Sequence, residues 1–389
     1  MRRKTSRVMS GAVGVLLLAV AFAYLATSSS RASAPAAGAS KFLENIQAGK
    51  LSFAKVGRMS FGPDGLLLVA DRGNGSVVGI DTGDVGPPNP LKKRVNNVGS
   101  LLAKALGTTT EETQIVDMAV NPKSGLIYFS IIRMKDGHSV ILTMNNVGKI
   151  GNLDLAKARH VRITLPGDGK DKVSNVTSVE FASDRVLAAG QSGREFSSKI
   201  YSIPLPLKHG DSAAIYSTET YHVAHGQWET RAPIQSFTPI KEGDKTFVVG
   251  SFSCTPIAKF PVDGLESGAK IKGTSVVELG SGNRPVDMFT YKKDGKSWLV
   301  TNTDRFHHKR RPIGPSQYWG CRVDLQYLGA EDVNEKAARR VVDKPKGPSG
   351  MEVVPALFGV KQIDQFDNDA VVVLRENDGR LDVEPIVLP

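Results

Sequence analysis

Residue types and motifs that often reveal a protein's function are scarce in this chain. It has two cysteines in 389 residues, and aromatic residues make up 7% of it. No Cys-x-x-Cys-His motif occurs, which excludes covalent haem attachment. No Gly-x-Ser-x-Gly motif occurs, so the sequence lacks the nucleophile elbow of serine hydrolases. No basic stripe is interleaved with aromatic residues, and we therefore expect no binding to nucleic acids.

The first 39 residues have the pattern of an export signal. Four basic side chains among the first seven residues precede an apolar run over residues 8–26. A plausible cleavage site is Ala37-Gly38-Ala39, and Ala32-Ser33-Ala34 is a poorer one. The run is also long enough for an uncleaved membrane anchor, which is the alternative. Either reading predicts one folded domain, residues 40–389, outside the cytoplasm, either periplasmic or secreted.

The leader also accounts for much of the positive charge. The whole chain has a formal net charge of +11, but residues 1–39 hold five basic and no acidic residues, which leaves +6 for the rest. The only dense basic run, residues 307–311, is interpreted as a solvated loop. We expect membrane contact only if the leader is uncleaved.

The segment Val56–Asp81 is the clearest repeat unit. It reads as a strand, a Gly-Pro-Asp-Gly turn, a second strand, a polar corner and a third strand. The hydrophobic fraction of 40% and the 39 glycines also favour a turn-rich β protein. The pattern FGPDG, then LLLVADRGNG, then VVGID resembles the repeat of the NHL family of β-propellers. This resemblance implies that the segment forms most of one antiparallel blade.

Less regular copies of this pattern follow along the chain. Their starts, 52 to 65 residues apart, are Val56, Ile115, Val176, Ile234, Val286 and about Met351. A repeat of this length with short strands predicts an all-β propeller. Six blades are expected, with seven as the alternative if residues 40–55 or 98–114 hide another. A two-domain β-sandwich is the remaining competitor.

Two connecting segments have patterns of their own. Residues 98–106 are predicted to form a short helix within an insertion. In the lead-in, Phe42, Leu43 and Ile46 have helical spacing, and a strand is expected through Leu51 and Phe53.

Propeller geometry predicts where the polar residues meet. The inner strand of each blade begins at the end of the channel where the loop after the second strand emerges, so these two sets should share a face. Asp117 and Asp287 are expected to pair with Arg58 or Arg284, or else to help bind a cation. The predicted ligand face consists of Arg58, Asp71, Arg72, Asp117, Gln235, Asp287, Asn302, Asp304, Arg305 and Trp319.

Histidines form the strongest candidate metal site. His222, His225 and Glu229 are closely spaced, and His307 and His308 lie one predicted blade further on. Imidazole and carboxylate groups suit zinc, copper or iron. Hydrogen-bonded loop histidines are the alternative.

The two cysteines, Cys254 and Cys321, fall in adjacent predicted blades. In an exported protein this favours one disulfide that would hold the 303–316 loop, and the alternative is two unpaired thiols.

The sequence therefore favours an exported binding or scaffold propeller that holds a protein partner or a small ligand. One alternative is a metal-dependent hydrolase that resembles the gluconolactonase/SMP-30 group, which holds a divalent cation in its channel. The chain departs from that group at Arg58, where the group has an acidic ligand. The other alternative is an accessory protein of an extracytoplasmic redox system that binds a transition metal through its histidine clusters. Whether the protein is an enzyme is left open.

Overall fold

The computed structural model describes residues 40–222, 226–253, 256–279, 282–310, 312, 314–329, 351–368 and 370–389. This part of the chain is all-β, with one α-helix and two short 3-10 helices. The helices are α1 (Val98–Ala105) and the 3-10 turns Leu325–Gly329 and Pro355–Leu357.

The strands of the first half, in chain order, are β1 (Leu43–Glu44), β2 (Gln47–Gly49), β3 (Val56–Phe61), β4 (Leu66–Asp71), β5 (Ser76–Asp81), β6 (Thr113–Val120), β7 (Ile127–Arg133), β8 (His138–Met144), β9 (Ile150–Asn152), β10 (Ala158–Thr164), β11 (Val173–Phe181), β12 (Arg185–Ser192) and β13 (Ser198–Pro204). The strands of the second half are β14 (Leu207–Lys208), β15 (Ala214–His222), β16 (Gln227–Glu229), β17 (Ile234–Glu242), β18 (Lys245–Phe252), β19 (Pro256–Pro261), β20 (Lys270–Glu278), β21 (Asn283–Lys293), β22 (Lys296–Arg305), β23 (Tyr318–Asp324), β24 (Met351–Val353), β25 (Val360–Gln365), β26 (Ala370–Asn377) and β27 (Arg380–Val387).

The strands form a propeller-like arrangement around a central axis. Six of them, which we call the inner strands, contact one another side by side in the closed order β3, β11, β17, β21, β25 and β6. Each inner strand begins an antiparallel meander that runs outward, such as β21-β22-β23-β24. The meanders that start with β11 and β17 are joined at their outer edges, because β15 and β20 pair in parallel.

Apolar side chains fill the spaces between neighbouring meanders. Within the described ranges, one buried cluster lies in each of the six gaps of the ring. The alternating hydrophobic pattern of the strands produces this result, since each meander turns side chains toward a neighbour on both of its faces. The core is therefore a circle of separate interfaces, and no single element lies at its centre.

Every inner strand contains a register irregularity at the same place. Its pairing with the second strand slips near Arg58, Val116, Thr177, Gln235, Asp287 and Lys361. A bulge bends a strand and redirects its side chains. Its recurrence in all six inner strands supports the repeat that the sequence indicates, and it brings polar residues toward the axis.

The order of the meanders around the ring differs from their order in the sequence. The β6–β9 meander lies between those of β3 and β25, and the outer strand β10 then returns to pair with β5. Residues 82–157 are thus inserted between the third and fourth strands of the first meander. A sequence repeat gives the spacing of units but does not determine which units are neighbours.

Residues 82–97, which we call the crossing segment, make this order possible. The Asp84 carboxylate accepts hydrogen bonds from Asn121 (2.7 Å), Ser124 (2.7 Å) and Tyr128 (3.1 Å) in the β6–β7 hairpin. Further along, Val95 bridges to Val383 in β27. The segment therefore spans the β6–β9 meander and adds an outer rung to the meander of β25.

The connecting segments give mixed outcomes for the sequence-based expectations. The predicted helix is confirmed as α1. The expected helical lead-in is wrong, because residues 43–44 and 47–49 are strands that pair with β14 and β10, and no strand runs through Leu51 and Phe53. Pairing with distant strand edges outweighs the local spacing.

The predicted start of the last repeat, at about Met351, is also wrong. Residues 351–353 pair with β23 as an outer strand, and the sixth inner strand begins at Val360. The predicted leader lies outside the described residues. Among those that are described, no helix is long and apolar enough to cross a membrane.

We expect Asp84→Ala to destabilise the fold by about 2 kcal/mol or more, because three donors in the β6–β7 hairpin lose their shared acceptor. Urea unfolding followed by circular dichroism measures this. Asp244→Ala, in the exposed turn after β17, is the matched control and should change the unfolding free energy by less than about 0.5 kcal/mol. Equal effects of the two substitutions would contradict the anchoring role of Asp84.

Candidate functional site

Arg58 crosses the centre of the ring. Its Nη1 atom lies 2.6 Å from Asp117 Oδ1 on the neighbouring strand β6 and 2.5 Å from Asp287 Oδ1 on the opposite strand β21. Its Nη2 atom donates to the carbonyl of Val286 (2.7 Å). The predicted ion pairing of both aspartates with Arg58 is confirmed. One guanidinium thereby links three of the six inner strands.

The same aspartates connect neighbouring inner strands through the backbone. Asp117 Oδ2 accepts the N–H of Met59 (2.7 Å), and Asp287 Oδ2 accepts the N–H of Ile363 (2.8 Å). Asp364 Oδ2 accepts the N–H of Val120 in the same way (2.6 Å). These carboxylates satisfy backbone donors that no strand ladder pairs, so both oxygens of Asp117 and of Asp287 have structural partners.

A cavity of about 680 Å³ lies at the centre of the ring, on one side of Arg58. Its lining starts at the bulges of the inner strands and continues to their carboxyl ends, at Phe61, Pro122, Lys241, Lys292 and Asn368. The cavity therefore extends toward the turns that follow the inner strands. Arg58 and its two aspartates form its floor.

Burial controls the ionisation of the cavity acids. Burial raises the pKa of Asp287 to about 6 although Arg58 opposes the shift, and burial together with the charges of Asp117 and Asp287 raises the pKa of Asp364 to about 7. The pKa of Glu180 is raised well above 4.5, first by burial and then by Asp364, Asp117 and Asp287. For Arg58, burial lowers the pKa, but the two bonded aspartates more than offset this and keep the guanidinium charged.

One wall of the cavity has polar side chains that make no hydrogen bond to any described residue. Ser178 and Glu180 alternate along β11, and Ser236 and Thr238 alternate along the adjacent β17, and all four line the cavity. The three hydroxyl residues are only 4%, 6% and 8% exposed. Within the described part of the chain, none of these four side chains has a hydrogen bond. We call this group the β11–β17 wall.

Most buried polar groups in proteins have hydrogen-bond partners, and the exceptions often mark places where a ligand or water binds. The β11–β17 wall contrasts with the opposite side of the cavity, where Arg58 and the aspartates satisfy one another. Arg58, Asp117 and Asp287 are therefore paired with one another, whereas the β11–β17 wall, like Ser60 on β3, has polar groups that can bind a ligand or water.

Three members of the predicted ligand face, Arg58, Asp117 and Asp287, meet in the cavity. The remaining members do not line the cavity, and several have structural partners. Asp71 is fully buried and binds Arg162 (2.6 Å), Arg72 donates to Asn175 (3.2 Å), and Asn302 accepts the N–H of Asp287 (2.9 Å).

The other four members of the predicted ligand face have their own surroundings. Asp304 accepts from Gln317 (2.9 Å), Arg305 is 7% exposed and donates to the carbonyl of Ser316, and Gln235 is half-buried at the bulge of β17. Trp319 is 1% exposed, packs within an apolar cluster and donates its indole N–H to Asn283 (2.6 Å).

Four of the five predicted metal ligands, His222, Glu229, His307 and His308, lie within the described residues. His222 is buried, and its Nε2 atom lies 3.7 Å from Glu278. Glu229 instead accepts the backbone N–H groups of Arg231 and Ala232. His307 and His308 lie in the turn after β22. Among the residues that the structure describes, no group of three or more histidine, cysteine or acidic side chains has metal-binding geometry.

Two of the predicted residues lie outside the described ranges. They are His225 and Cys254. Cys321 is buried in β23. The metal site and the disulfide therefore stay predictions.

The residues of the β11–β17 wall are absent from the predicted ligand face, but the sequence contains a pattern that indicates them. The inner strands VTSVEF, IQSFTP and KQIDQ place polar residues at alternate positions between apolar ones. In a strand this pattern puts Ser178 with Glu180, and Ser236 with Thr238, on one side. The predicted ligand face includes at most one polar position from each inner strand and residues of the loops, so it omits these second and third polar positions.

Comparison with known proteins finds similarity to solved structures but no match to a family model or to a curated protein. The NHL-like pattern therefore stays a resemblance. Among solved structures it is similar to the major allergen Mala s 1 of Malassezia sympodialis, with 10% identity, coverage of 89% of this chain and 96% of the other, and a TM-score of 0.37. It is also similar to an α-L-arabinanase mutant of Cellvibrio cellulosa, with 11% identity, 71% and 92% coverage and a TM-score of 0.32.

A third similar structure is a streptogramin B lyase, with 11% identity, coverage of 88% of this chain and 97% of the other, and a TM-score of 0.27. At these values the similarities carry no functional conclusion. The propeller-like fold rests on the strand pairing and on the closed ring of inner strands.

Arg58→Met should destabilise the protein by about 3 kcal/mol at pH 8, because Asp117 and Asp287 would lose their shared cation. The loss should be smaller at pH 5, where protonation of these acids relieves their repulsion. Chemical unfolding at the two pH values measures it. Arg159→Met, which removes a half-exposed ion pair with Asp81, should cost less than about 1 kcal/mol at both. A deficit independent of pH would contradict the electrostatic role of Arg58.

Glu180→Gln should stabilise the protein increasingly as the pH rises from about 4.5 to 8. The folded-state pKa of Glu180 is raised, so folding disfavours the ionised form, and the wild type loses stability as the pH climbs through this window. Glutamine has no charge and avoids that loss. Unfolding free energies at pH 4.5 and pH 8 test this, with the exposed Glu195→Gln as the control. If the difference between Glu180→Gln and the wild type stays constant, the explanation is wrong.

Proposed function

We propose that this chain is a binding propeller that holds a small polar ligand in its central cavity. The observation that carries the proposal is the β11–β17 wall, where Ser178, Glu180, Ser236 and Thr238 line a cavity of about 680 Å³ and make no hydrogen bond to the described residues. The volume lies in the range of small-molecule sites. A site with a few polar groups set among apolar lining is typical of ligand recognition.

The blade count and the location belong to the same proposal. We infer six blades, one for each inner strand, which the closed ring and its six apolar interfaces support. We also infer that the protein works outside the cytoplasm, a location supported only by the export pattern of residues 1–39.

The cavity favours a small ligand over a protein partner as the main occupant. A protein partner needs a broad surface, usually about 800 Å² on each side. The loops at the start of the inner strands are instead tied down by internal bonds, such as Asp71 with Arg162 and Asp304 with Gln317. Their polar groups serve the fold, whereas those of the β11–β17 wall are left for a ligand.

The hydrolase alternative has less support from the donor atoms. Its cation would need Asp117 and Asp287, whose oxygens accept bonds from Arg58, Met59 and Ile363. A cation there would have to displace the guanidinium. We therefore place binding ahead of hydrolysis.

The experiment compares the wild type with Ser236→Phe, which fills the cavity. Each protein is dialysed against a small-molecule extract of the producing cell, washed, denatured and analysed by liquid chromatography and mass spectrometry. We expect the wild type to retain a compound of at most about 500 Da that the variant does not retain.

Two further measurements complete the test. Thr238→Val, which replaces one hydroxyl with a methyl group, should fold normally and reduce retention, so a folding failure of the phenylalanine variant would not obscure the result. Equal retention by all three proteins, or no retained compound at all, would overturn the proposal.

A further inference from the structure

The charges around the cavity identify the class of ligand, on the premise that the proposed binding function holds. Four acids lie in or beside the floor and the β11–β17 wall, namely Asp117, Glu180, Asp287 and Asp364. One guanidinium, that of Arg58, lies among them. Arg58 is shared by Asp117 and Asp287, so at pH 8, above the raised pKa values of Asp287 and Asp364, the inner part of the cavity carries more negative than positive charge.

Glu180 differs from the other three acids. Asp117, Asp287 and Asp364 each accept two hydrogen bonds from a guanidinium or from backbone N–H groups. Glu180 accepts none within the described part of the chain, and it lines the cavity. Its carboxylate is therefore the acid that can change partners without loss of a structural bond.

The surroundings of Glu180 offer acceptors and aromatic rings. Ser178, Ser236 and Thr238 are largely buried residues whose hydroxyl groups line the cavity, and Phe61 and Phe289 also line it. An ammonium group has N–H donors for the carboxylate and the hydroxyls, and aromatic faces attract cations. A neutral polyol could use the hydroxyls but would leave the excess negative charge uncompensated.

We propose that the ligand is a small organic cation with a primary ammonium group, and that Glu180 is its counter-ion. The hydroxyls of the β11–β17 wall accept the remaining N–H bonds. Two exposed lysines, Lys241 and Lys292, lie at the outer end of the described lining with one exposed acid, Asp367, so the lysines outnumber the acid there. They disfavour a long polycation, so the ligand carries its ammonium group at the inner end.

The test measures binding by the full chain to four probes. Ethanolamine and butylamine carry a primary ammonium group, while ethylene glycol and 1-butanol are their neutral counterparts of similar size. Isothermal titration calorimetry at pH 8 and constant ionic strength gives the affinities. We expect binding of at least one amine and at least tenfold weaker binding of its neutral counterpart, as the loss of a charge-assisted hydrogen bond implies.

Glu180→Gln should weaken amine binding by about tenfold or more, while Glu195→Gln, an exposed site outside the cavity, should leave it unchanged. Choline, which has no N–H donor, should bind more weakly than ethanolamine. If neither amine binds, or if Glu180→Gln binds as tightly as the wild type, the inference is overturned.

The outcomes also separate this inference from the function on which it rests. If a neutral compound binds as tightly as the amines and Ser236→Phe abolishes its binding, the cavity is a ligand site but its ligand is not a cation. If Ser236→Phe leaves amine binding unchanged, both the cation inference and the proposed cavity function are wrong.

Discussion

The bridge made by Arg58 is the interaction on which the central structure depends. A ring of meanders has no element on its axis, and its inner strands are joined side by side without a continuous ladder of hydrogen bonds. Arg58 reaches from β3 to the opposite strand β21 while it also bonds Asp117 on the neighbouring strand. Burying these charges is costly, and their mutual bonds are what make that burial acceptable.

The same arrangement leaves two kinds of polar group around the cavity. The carboxylates of Asp117, Asp287 and Asp364 accept hydrogen bonds from backbone N–H groups of neighbouring strands, and those of Asp117 and Asp287 also accept from the guanidinium. Within the described residues, Glu180 and the hydroxyls beside it make no such hydrogen bond. A site that binds a ligand must keep groups that the fold itself does not satisfy, and these groups lower the stability of the empty protein.

Local chemistry in the sequence was sufficient to predict much of the fold. The bounds of β3 to β5 follow from the alternating apolar residues and the glycine turns around Val56–Asp81, and the helix at 98–105 follows from its apolar spacing. The pairing of Asp117 and Asp287 with Arg58 could also be predicted, since three polar residues at equivalent inner positions must meet near the axis.

Other features depend on contacts that a linear pattern does not contain. Met351 was predicted to begin a repeat, but its strand is short and completes the sheet of β23. The open state of Glu180 could not be predicted either. Whether Glu180 has a hydrogen-bond partner depends on which side chains of the neighbouring strands lie near its carboxylate. The order of the meanders, which the crossing segment makes possible, determines those neighbouring strands.

The insertion of residues 82–157 has a consequence for how the protein is made. Strand β5 is complete at residue 81, but its partner β10 begins only at residue 158, so a chain synthesised from its amino terminus carries an unpaired strand edge in the interval. Such edges pair readily with other chains. The inner ring can close only after β25, at residues 360–365, has been made and can contact β6. The protein is thus expected to fold late and slowly, through pairings of long sequence separation.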